Sequence, residues 1–192
     1  MKTVTTSWGT KQLKIDDVPL LSQEAETALR QEWRTERAFW DALNKEFEFD
    51  IDVAASKENA LKSRYFSEKQ DALSDPAIWI DPCEPDTCLR AYCNPGFGDL
   101  DPWMKKAARQ AALDPSAIVC VLGLCAPSSA WWWDALHEAS EVRLLAPRVQ
   151  FEPPDPRIPR SSNARDNALF IFRGKQRSGL QKPAHIETWR WR

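Results

Sequence analysis

The stretch Ala91-Tyr92-Cys93-Asn94-Pro95-Gly96-Phe97-Gly98-Asp99 joins a short apolar segment to a polar turn. Asp101-Pro102-Trp103 follows it and predicts a helix start, because Asp is favoured at an N-cap and Pro at the first helical position. We therefore expect Asn94–Phe97 to lie between the carboxyl end of a buried strand and the next helix. In open α/β sheets, ligands bind in the crevice at that edge.

The residue types of this turn suit a planar amine. Asn94 offers a side-chain carbonyl and Pro95 offers a backbone carbonyl, and both groups accept hydrogen bonds. Phe97 adds a flat apolar face. Two acceptors beside an aromatic ring match an exocyclic amine such as N6 of adenine. The alternative interpretation is a Pro-Gly turn that only redirects the chain after a strand.

The composition is that of a globular protein. The 192 residues are 43% hydrophobic and 28% charged, which suits one domain with a sizeable core or one domain with a tail. No apolar run is long enough for a membrane span and the N-terminus has no signal core, so we expect a cytoplasmic protein without a membrane partner. Five cysteines outside Cys-x-x-Cys spacing and only two histidines favour reduced thiols and no metal site.

The charge of the chain is unevenly distributed. Residues 1–147 carry 16 Lys and Arg against 24 Asp and Glu, whereas residues 148–192 carry 10 against 4. A basic C-terminal part on an acidic body is typical of a protein that binds a polyanion such as nucleic acid. The alternative is a solubilising tail.

Alternating helix and strand patterns predict the fold class. The predicted elements are a helix from Ser22 to about Glu46, a strand over 47–53, a short helix over 56–64, a strand ending near Cys93, a helix over 102–113, a strand over 118–124, a helix after Ser129, strands over 142–145, 148–151 and 169–172, and an irregular loop over 152–166. This order indicates an α/β protein with a doubly wound, mostly parallel sheet and helices on both faces.

A carboxylate is also expected at a strand end. Asp52 closes the alternating segment 47–53, and in a nucleoside-binding α/β domain a carboxylate there commonly takes a hydroxyl or amine of the ligand. The alternative is an exposed acidic edge, which fits Glu48 and Asp50 better than Asp52. A Gly-x-Gly-x-x-Gly dinucleotide fingerprint is absent from the sequence. Asp52 and Asn94–Phe97 therefore both fall at carboxyl ends of predicted strands and are expected to face one cleft.

Over roughly residues 7 to 173, the chain resembles the phage-type Dam DNA N6-adenine methyltransferases. The resemblance rests on the order and spacing of Trp8-Gly9-Thr10, Leu43–Phe49, Asp52-Val53-Ala54-Ala55 with Asn59-Ala60, Asp71-Ala72-Leu73, Cys93-Asn94-Pro95-Gly96-Phe97, Trp103 with Lys106-Ala107, the apolar strand 118–124, Trp132-Trp133, and Arg148-Val149-Gln150-Phe151. It implies a Rossmann-like fold, S-adenosyl-L-methionine as the cofactor, and methyl transfer to N6 of an adenine flipped out of double-stranded DNA.

The resemblance also implies roles for particular positions. The Asp/Asn-Pro-Pro-Tyr/Phe catalytic motif falls on Asn94, Pro95, Gly96 and Phe97. The cofactor contacts fall on Thr10, Asp52, Ala54 and Asp71. Two positions depart from the family pattern: Gly96 replaces the second proline, and Lys11 stands where proline usually follows the threonine.

The remaining expectations concern organisation and partners. We expect a methyltransferase domain over 1–173 and a basic tail over 174–192, in a cytoplasmic phage or prophage protein without an obligate protein partner. Phosphate contacts are expected from Arg157, Arg160, Arg165, Lys175 and Arg177. Two alternatives stay open: a methyltransferase for another planar amine, such as an RNA base or a protein glutamine, and a non-catalytic nucleic-acid-binding relative with a relaxed loop at Gly96.

Overall fold

The computed structural model describes residues 33–83, 87–153, 161–162, 165–174 and 183–192, with only the backbone described at 161–162. These described residues form three α-helices, a short 3-10 helix (Glu68–Gln70) and the strands given below. The helices are α1 (Arg37–Phe47), α2 (Asp101–Ala111) and α3 (Ala130–Glu138). The strands are β1 (Arg34–Thr35), β2 (Ile51–Asp52), β3 (Arg64–Tyr65), β4 (Arg90–Cys93), β5 (Ile118–Leu124), β6 (Glu141–Ala146), β7 (Gln150–Glu152), β8 (Ser161–Ser162), β9 (Asn167–Arg173) and β10 (His185–Arg190).

The main sheet has seven strands in the order β10-β6-β9-β5-β4-β2-β3. All of its strands run parallel except β9, which is antiparallel to β5 and to β6. A second, three-stranded sheet has the order β1-β7-β8. The predicted mostly parallel α/β sheet is therefore confirmed, and the architecture is Rossmann-like.

Helices cover both faces of the main sheet. Side chains of α1, among them Phe39 and Leu43, pack with Tyr92 and Leu122 on one face. On the other face, side chains of α2 and α3 pack against the sheet in a second cluster. Its helix residues include Met104, Ala107, Ala111 and Trp132, and its sheet residues include Cys93, Val119, Val121 and Phe170. Successive residues of a strand face opposite sides, so the central strands must be apolar at every position. This requirement explains the continuous apolar runs from which β5 and β9 were predicted, and both strands are confirmed.

The N-terminal elements differ from the prediction. Within the described residues, the predicted helix from Ser22 to Glu46 begins only at Arg37, because residues 34–35 form β1; its first part lies outside them. The helix ends at Phe47, after which Glu48 adopts a left-handed conformation with φ of 50°. The first residues of the predicted strand 47–53 therefore belong to the end of the helix and to this turn, and only Ile51–Asp52 pairs as a strand.

Two further predictions need correction. The segment 56–64, predicted as a short helix, forms turns that lead into β3. Residues 185–190 of the predicted tail form β10, which pairs in parallel with β6 at the edge of the main sheet. Trp191 follows β10, is 8% exposed, and donates its Nε1–H to the Pro147 carbonyl at 2.8 Å. Burial of an indole ring therefore anchors a segment whose basic composition had suggested a tail.

Candidate active site at the carboxyl edge of the sheet

The Asn94–Phe97 turn begins directly after β4, at the carboxyl edge of the main sheet. Strand β2 pairs with β4 in parallel, with Asp52 opposite Tyr92. Parallel neighbours end at the same edge of a sheet, so the structure brings the two predicted strand-end positions to one side of the molecule. Residues Asp101–Ala111 then form α2, which confirms the predicted helix, but its N-cap is Leu100, and Asp101 and Pro102 are its first two residues.

The side-chain amide of Asn94 is anchored by two consecutive hydrogen bonds that lead through Thr35 to Tyr92. Its Nδ2 donates to Thr35 Oγ1 at 3.1 Å, and Thr35 Oγ1 lies 3.1 Å from the Tyr92 hydroxyl. Thr35 and Tyr92 are both buried, at 3% and 0% exposure. Burial raises the pKa of Tyr92 well above its usual value of 10, so its hydroxyl stays protonated.

Aromatic packing fixes the Tyr92 ring in turn. The ring lies 5.2 Å from Trp40 of α1 in an edge-to-face arrangement and 5.5 Å from Phe49. Tyr92 and Asn94 are two residues apart on extended chain and so point to the same side of the sheet. Tight packing around a fully buried ring therefore positions the hydroxyl that contacts Thr35.

The turn presents two free hydrogen-bond acceptors. Within the part of the chain that the structure describes, no group donates a hydrogen bond to Asn94 Oδ1 or to the Pro95 carbonyl. Pro95 is buried and Asn94 is half-buried. Gly96 is exposed, and a Cβ at that position would meet no described atom within 4 Å. Its surroundings therefore do not demand glycine, and the departure from the family proline costs neither acceptor.

Phe97 lies beside these acceptors and packs on the second sheet. Its ring contacts Phe151 of β7 edge-to-face, with centroids 5.9 Å apart and planes at 69°. Phe151 is the direct cross-strand partner of Thr35. Directly opposed residues of an antiparallel pair share one face. One cross-strand pair of the small sheet therefore supports both Asn94, through Thr35, and Phe97, through Phe151.

Glu36 secures that small sheet. Its side chain is 1% exposed, and its Oε1 accepts a hydrogen bond from the Gln150 amide at 2.8 Å. The Glu36 amide donates to the Gln150 carbonyl at 3.1 Å, and its other carboxylate oxygen pairs with Arg192. A buried carboxylate with amide and guanidinium donors thus fastens β1 to β7 and to the end of the chain.

Asp52 is turned into its own loop. It is 3% exposed, and its carboxylate accepts hydrogen bonds from the amides of Leu61 at 3.1 Å and Ala54 at 3.4 Å. Burial raises its pKa from 3.8 to about 6, against the opposing effect of these two amide donors. Asp52 and Ala54, both predicted to contact the cofactor, are therefore connected to one another and shape the loop 53–61.

Asp71 occupies a different setting. It is exposed, adopts a left-handed conformation with φ of 46°, and accepts a hydrogen bond at Oδ1 from the Leu73 amide at 3.2 Å. The segment that follows is fastened to α2, because Lys106 Nζ donates to the Ser74 carbonyl at 2.8 Å and Gln110 Oε1 accepts from the Trp79 amide at 2.6 Å. Burial, with a smaller effect of Arg109, lowers the pKa of Lys106.

Four of the five expected DNA contacts lie outside the described residues, namely Arg157, Arg160, Lys175 and Arg177. Thr10 lies outside them as well. Arg165 is described and exposed. Other basic residues of the C-terminal part pair within the protein: Arg148 with Asp166, Arg173 with Glu141 and Arg192 with Glu36. Part of the C-terminal positive charge therefore serves the fold.

Thr35 is the site residue that the sequence analysis missed. It lies in Trp33-Arg34-Thr35, a second Trp-x-Thr after Trp8-Gly9-Thr10. The prediction of a continuous helix across this segment concealed it. The repetition of the tripeptide was a signal that could have drawn attention to it.

The described residues contain neither a metal-binding cluster nor a membrane-spanning helix. Among them, no group of three or more His, Cys, Asp or Glu side chains is arranged to hold a metal ion. Nor does any helix formed by those residues have the length and apolar character to cross a membrane.

Comparison with known proteins identifies the family. The family model for DNA N-6-adenine-methyltransferase (Dam) matches residues 22–186, and no curated protein matches the chain. The matched range contains Asp52, Asp71 and Asn94–Phe97 together with Thr35, whereas Thr10 precedes it. With most of its length matched, and with an α/β sheet that carries the Asn-Pro-Gly-Phe turn at its carboxyl edge, the chain belongs to the Dam family of DNA N6-adenine methyltransferases.

Proposed function

We propose that the protein transfers a methyl group from S-adenosyl-L-methionine to N6 of a specific adenine in double-stranded DNA, with the target base flipped out of the helix. The observation that carries this proposal is the pair of free acceptors, Asn94 Oδ1 and the Pro95 carbonyl, beside the ring of Phe97. The family model supplies the DNA adenine. The cofactor, the flipping and the site specificity are the inferred parts.

The target adenine must leave the base stack, because its N6 is inaccessible to such a site inside the duplex. Extrusion costs a few kcal/mol. Stacking on Phe97 offsets part of that cost, since base–aromatic stacking contributes about 1–3 kcal/mol. The edge contact with Phe151 holds the Phe97 ring ready for the base.

Asn94 and Pro95 act on the amine itself. An exocyclic amine has two hydrogens, and Asn94 Oδ1 and the Pro95 carbonyl each accept one. Accepting both draws the N6 lone pair out of conjugation with the purine ring, so the nitrogen becomes the nucleophile. Because both acceptors are fixed before the base arrives, the site acts through positioning and electrostatics.

The surroundings of Asp71 fit the adenosyl part of the cofactor. A groove of about 420 Å³ is lined by Tyr65, Phe66, Gln70 and Ile78, among others, and Gln70 adjoins the exposed Asp71. Tyr65 and Phe66 offer aromatic faces to a purine ring, while Ser63, Arg64 and Gln70 make much of the remaining lining polar. When bound, S-adenosyl-L-methionine supplies an electrophilic methyl group on a sulfonium.

Asp52 fits the cofactor less directly. Both of its oxygens already accept hydrogen bonds from its own loop, so we assign it the shaping of that loop, with contact to the cofactor left to the backbone around Ala54. Thr10 remains a prediction for the methionine end. Contact with the DNA backbone is assigned to Arg157, Arg160, Arg165, Lys175 and Arg177, because the C-terminal part is basic.

The test is methyl transfer from labelled S-adenosyl-L-methionine to unmethylated double-stranded DNA, with RNA and protein as competing acceptors and with the labelled nucleoside identified. Phe97→Ala is expected to lower the rate by about 10- to 100-fold, in line with the loss of one stacking contact. Trp133→Ala is the matched control, because Trp133 is 55% exposed on α3. Label in RNA or protein alone, or cofactor binding with no transfer to any acceptor, contradicts the proposal.

A further inference from the structure

Asn94 can serve the proposed reaction in only one of its two amide orientations. With Oδ1 toward the base, it accepts a hydrogen from N6. Rotated by 180°, it would present its own NH2 group to the amine, and two donors would face each other. The orientation of the side-chain amide is therefore as important as the presence of Asn94. The turn itself provides no contact that distinguishes the two orientations.

We propose that Thr35, itself oriented by Tyr92, is a positioning residue that fixes the Asn94 amide with Oδ1 facing the substrate. The geometry is the chain Tyr92 hydroxyl, Thr35 Oγ1 and Asn94 Nδ2, with 3.1 Å at each link. This inference rests on the proposed function, whose catalytic acceptor it concerns.

The orientation of the Asn94 amide depends on what the Thr35 hydroxyl can accept. A threonine hydroxyl has one proton and two lone pairs. Either hydroxyl can donate in the hydrogen bond between Thr35 and Tyr92, and in both cases Thr35 Oγ1 keeps a lone pair that accepts from Asn94 Nδ2. A lone pair attracts the Nδ2 hydrogens and repels Oδ1, so this contact favours the orientation in which Oδ1 faces the substrate. Removal of the Tyr92 hydroxyl would leave the Thr35 hydroxyl free to turn and donate to Oδ1, which would allow the amide to rotate.

The surroundings make this device rigid. Thr35 is 3% exposed and Tyr92 is fully buried, so water does not compete for the Thr35 lone pairs. Thr35 is held in register by its pairing with Phe151 and by the buried Glu36 that follows it. Tyr92 is held by Trp40 and Phe49. The orientation of the Asn94 amide is thus set by two sheets and a helix, not by the turn.

The experiment compares Thr35→Val, which keeps the shape and removes the hydroxyl, with Thr35→Ser, which keeps the hydroxyl. Thr188→Val on β10 is the matched control, because Thr188 is exposed and lies on the far edge strand. At saturating DNA and S-adenosyl-L-methionine, we expect Thr35→Val to lower kcat by about 10- to 100-fold. We expect Thr35→Ser to stay within about threefold of wild type, the dissociation constant for S-adenosyl-L-methionine to change less than about threefold, and Tyr92→Phe to fall between the two.

A second measurement does not depend on activity. In the folded full-length protein, the side-chain NH2 of Asn94 has a distinct amide resonance and exchanges slowly with solvent while Nδ2 donates to Thr35. Thr35→Val is expected to shift that resonance and speed its exchange, and Thr35→Ser is expected to preserve both. An unchanged resonance or an unchanged kcat in a folded Thr35→Val protein overturns the inference. Failure of the wild type to methylate any DNA instead overturns the proposed function, and the resonance still reports on Thr35.

Discussion

The carboxyl ends of β2 and β4 look alike in the sequence and differ in the structure. Asp52 is the last residue of β2, and Asn94 is the first residue after β4, which ends at Cys93. Asp52 is buried, and the amides of Leu61 and Ala54 donate to both of its oxygens. Asn94 is held through its Nδ2 by another segment of the chain, and no group of the described residues donates to its Oδ1, the acceptor that we propose for the substrate. The two strand ends thus differ in which atoms of the polar side chain are used by contacts within the protein.

Substitutions of the two residues are therefore expected to have different effects. Replacement of Asn94 should remove chemistry and leave the fold intact, because its acceptor oxygen serves no described neighbour. Replacement of Asp52 should alter the fold of the loop 53–61 and the response of stability to pH, and it should affect chemistry only indirectly. The predictions below separate these two outcomes.

The largest effect is expected for Asn94→Ala. Loss of one of the two acceptors should lower the rate of methyl transfer by about 10²- to 10³-fold, as for the loss of one fixed group that stabilises charge in a transition state. Asn94→Asp keeps an oxygen acceptor and should retain more activity than Asn94→Ala. Single-turnover rates and thermal melting check both variants; a rate near wild type for Asn94→Ala in a folded protein would remove Asn94 from the site.

The next effect concerns Asp52 and pH. Its pKa is raised from 3.8 to about 6 in the folded protein, so the stability that this group contributes is present below pH 3.8 and is lost as the pH rises through about 6. Asn cannot titrate. The difference in free energy of unfolding should therefore move in favour of Asp52→Asn by about 2–3 kcal/mol between acid and neutral pH.

Urea denaturation of wild type and Asp52→Asn across that pH range checks this expectation. The comparison of two proteins cancels the titration of all other carboxylates. A matched control is Asp134→Asn, on the exposed side of α3. A difference between wild type and Asp52→Asn that stays constant with pH would show that burial does not raise the pKa of Asp52.

A smaller effect is expected for Phe151→Leu. It removes the edge contact with Phe97 while keeping an apolar side chain at a buried position. Such aromatic contacts contribute about 0.5–1.5 kcal/mol, so the rate should fall by about 2- to 10-fold. Rates at saturating DNA measure this effect. A rate equal to that of wild type would mean that Phe97 needs no support from the small sheet.

The smallest effect of a single substitution is expected at the residues assigned to phosphate contacts. Neutralising Arg157, Arg160, Arg165, Lys175 and Arg177 one at a time should weaken DNA binding equally for all sequences and reduce the salt slope by about one per lost contact. Arg173→Gln is a useful comparison, because Arg173 pairs with Glu141 within the protein. Fluorescence anisotropy at several salt concentrations measures both quantities; unchanged slopes would place the DNA interface elsewhere.

Continuous burial made the centre of the fold predictable from the sequence. β5 and β9 are buried on both faces, and runs such as Ile118–Leu124 have few alternatives to a central strand. The helix that begins at Asp101-Pro102 was equally clear from these two residues, which favour a first helical turn, but its N-cap is Leu100 and not Asp101. At the periphery, local signals misled. The helical spacing of Trp33 and Trp40 concealed β1, and the basic composition concealed β10, because each of these edge strands depends on a partner distant in sequence.

The candidate site divides in the same way. Asn94–Phe97 and Asp52 were placed correctly at strand ends, because strand boundaries are a local property. The roles of their side chains were not local. Thr35 lies 59 residues from Asn94 in sequence, and the Leu61 amide lies nine residues from Asp52. Tertiary contacts alone decide that a distant residue holds the Asn94 side chain, whereas amides of its own loop satisfy the Asp52 carboxylate.

The most direct test of this division is a side-by-side measurement of Asn94→Ala and Asp52→Asn. At neutral pH, with both proteins shown to be folded and with saturating DNA and S-adenosyl-L-methionine, one turnover of N6-methyladenine formation is timed. We expect Asn94→Ala to lose at least about 100-fold in rate and Asp52→Asn to lose less than about tenfold. Equal losses, or a larger loss for Asp52→Asn, would contradict the assignment of the chemistry to the end of β4.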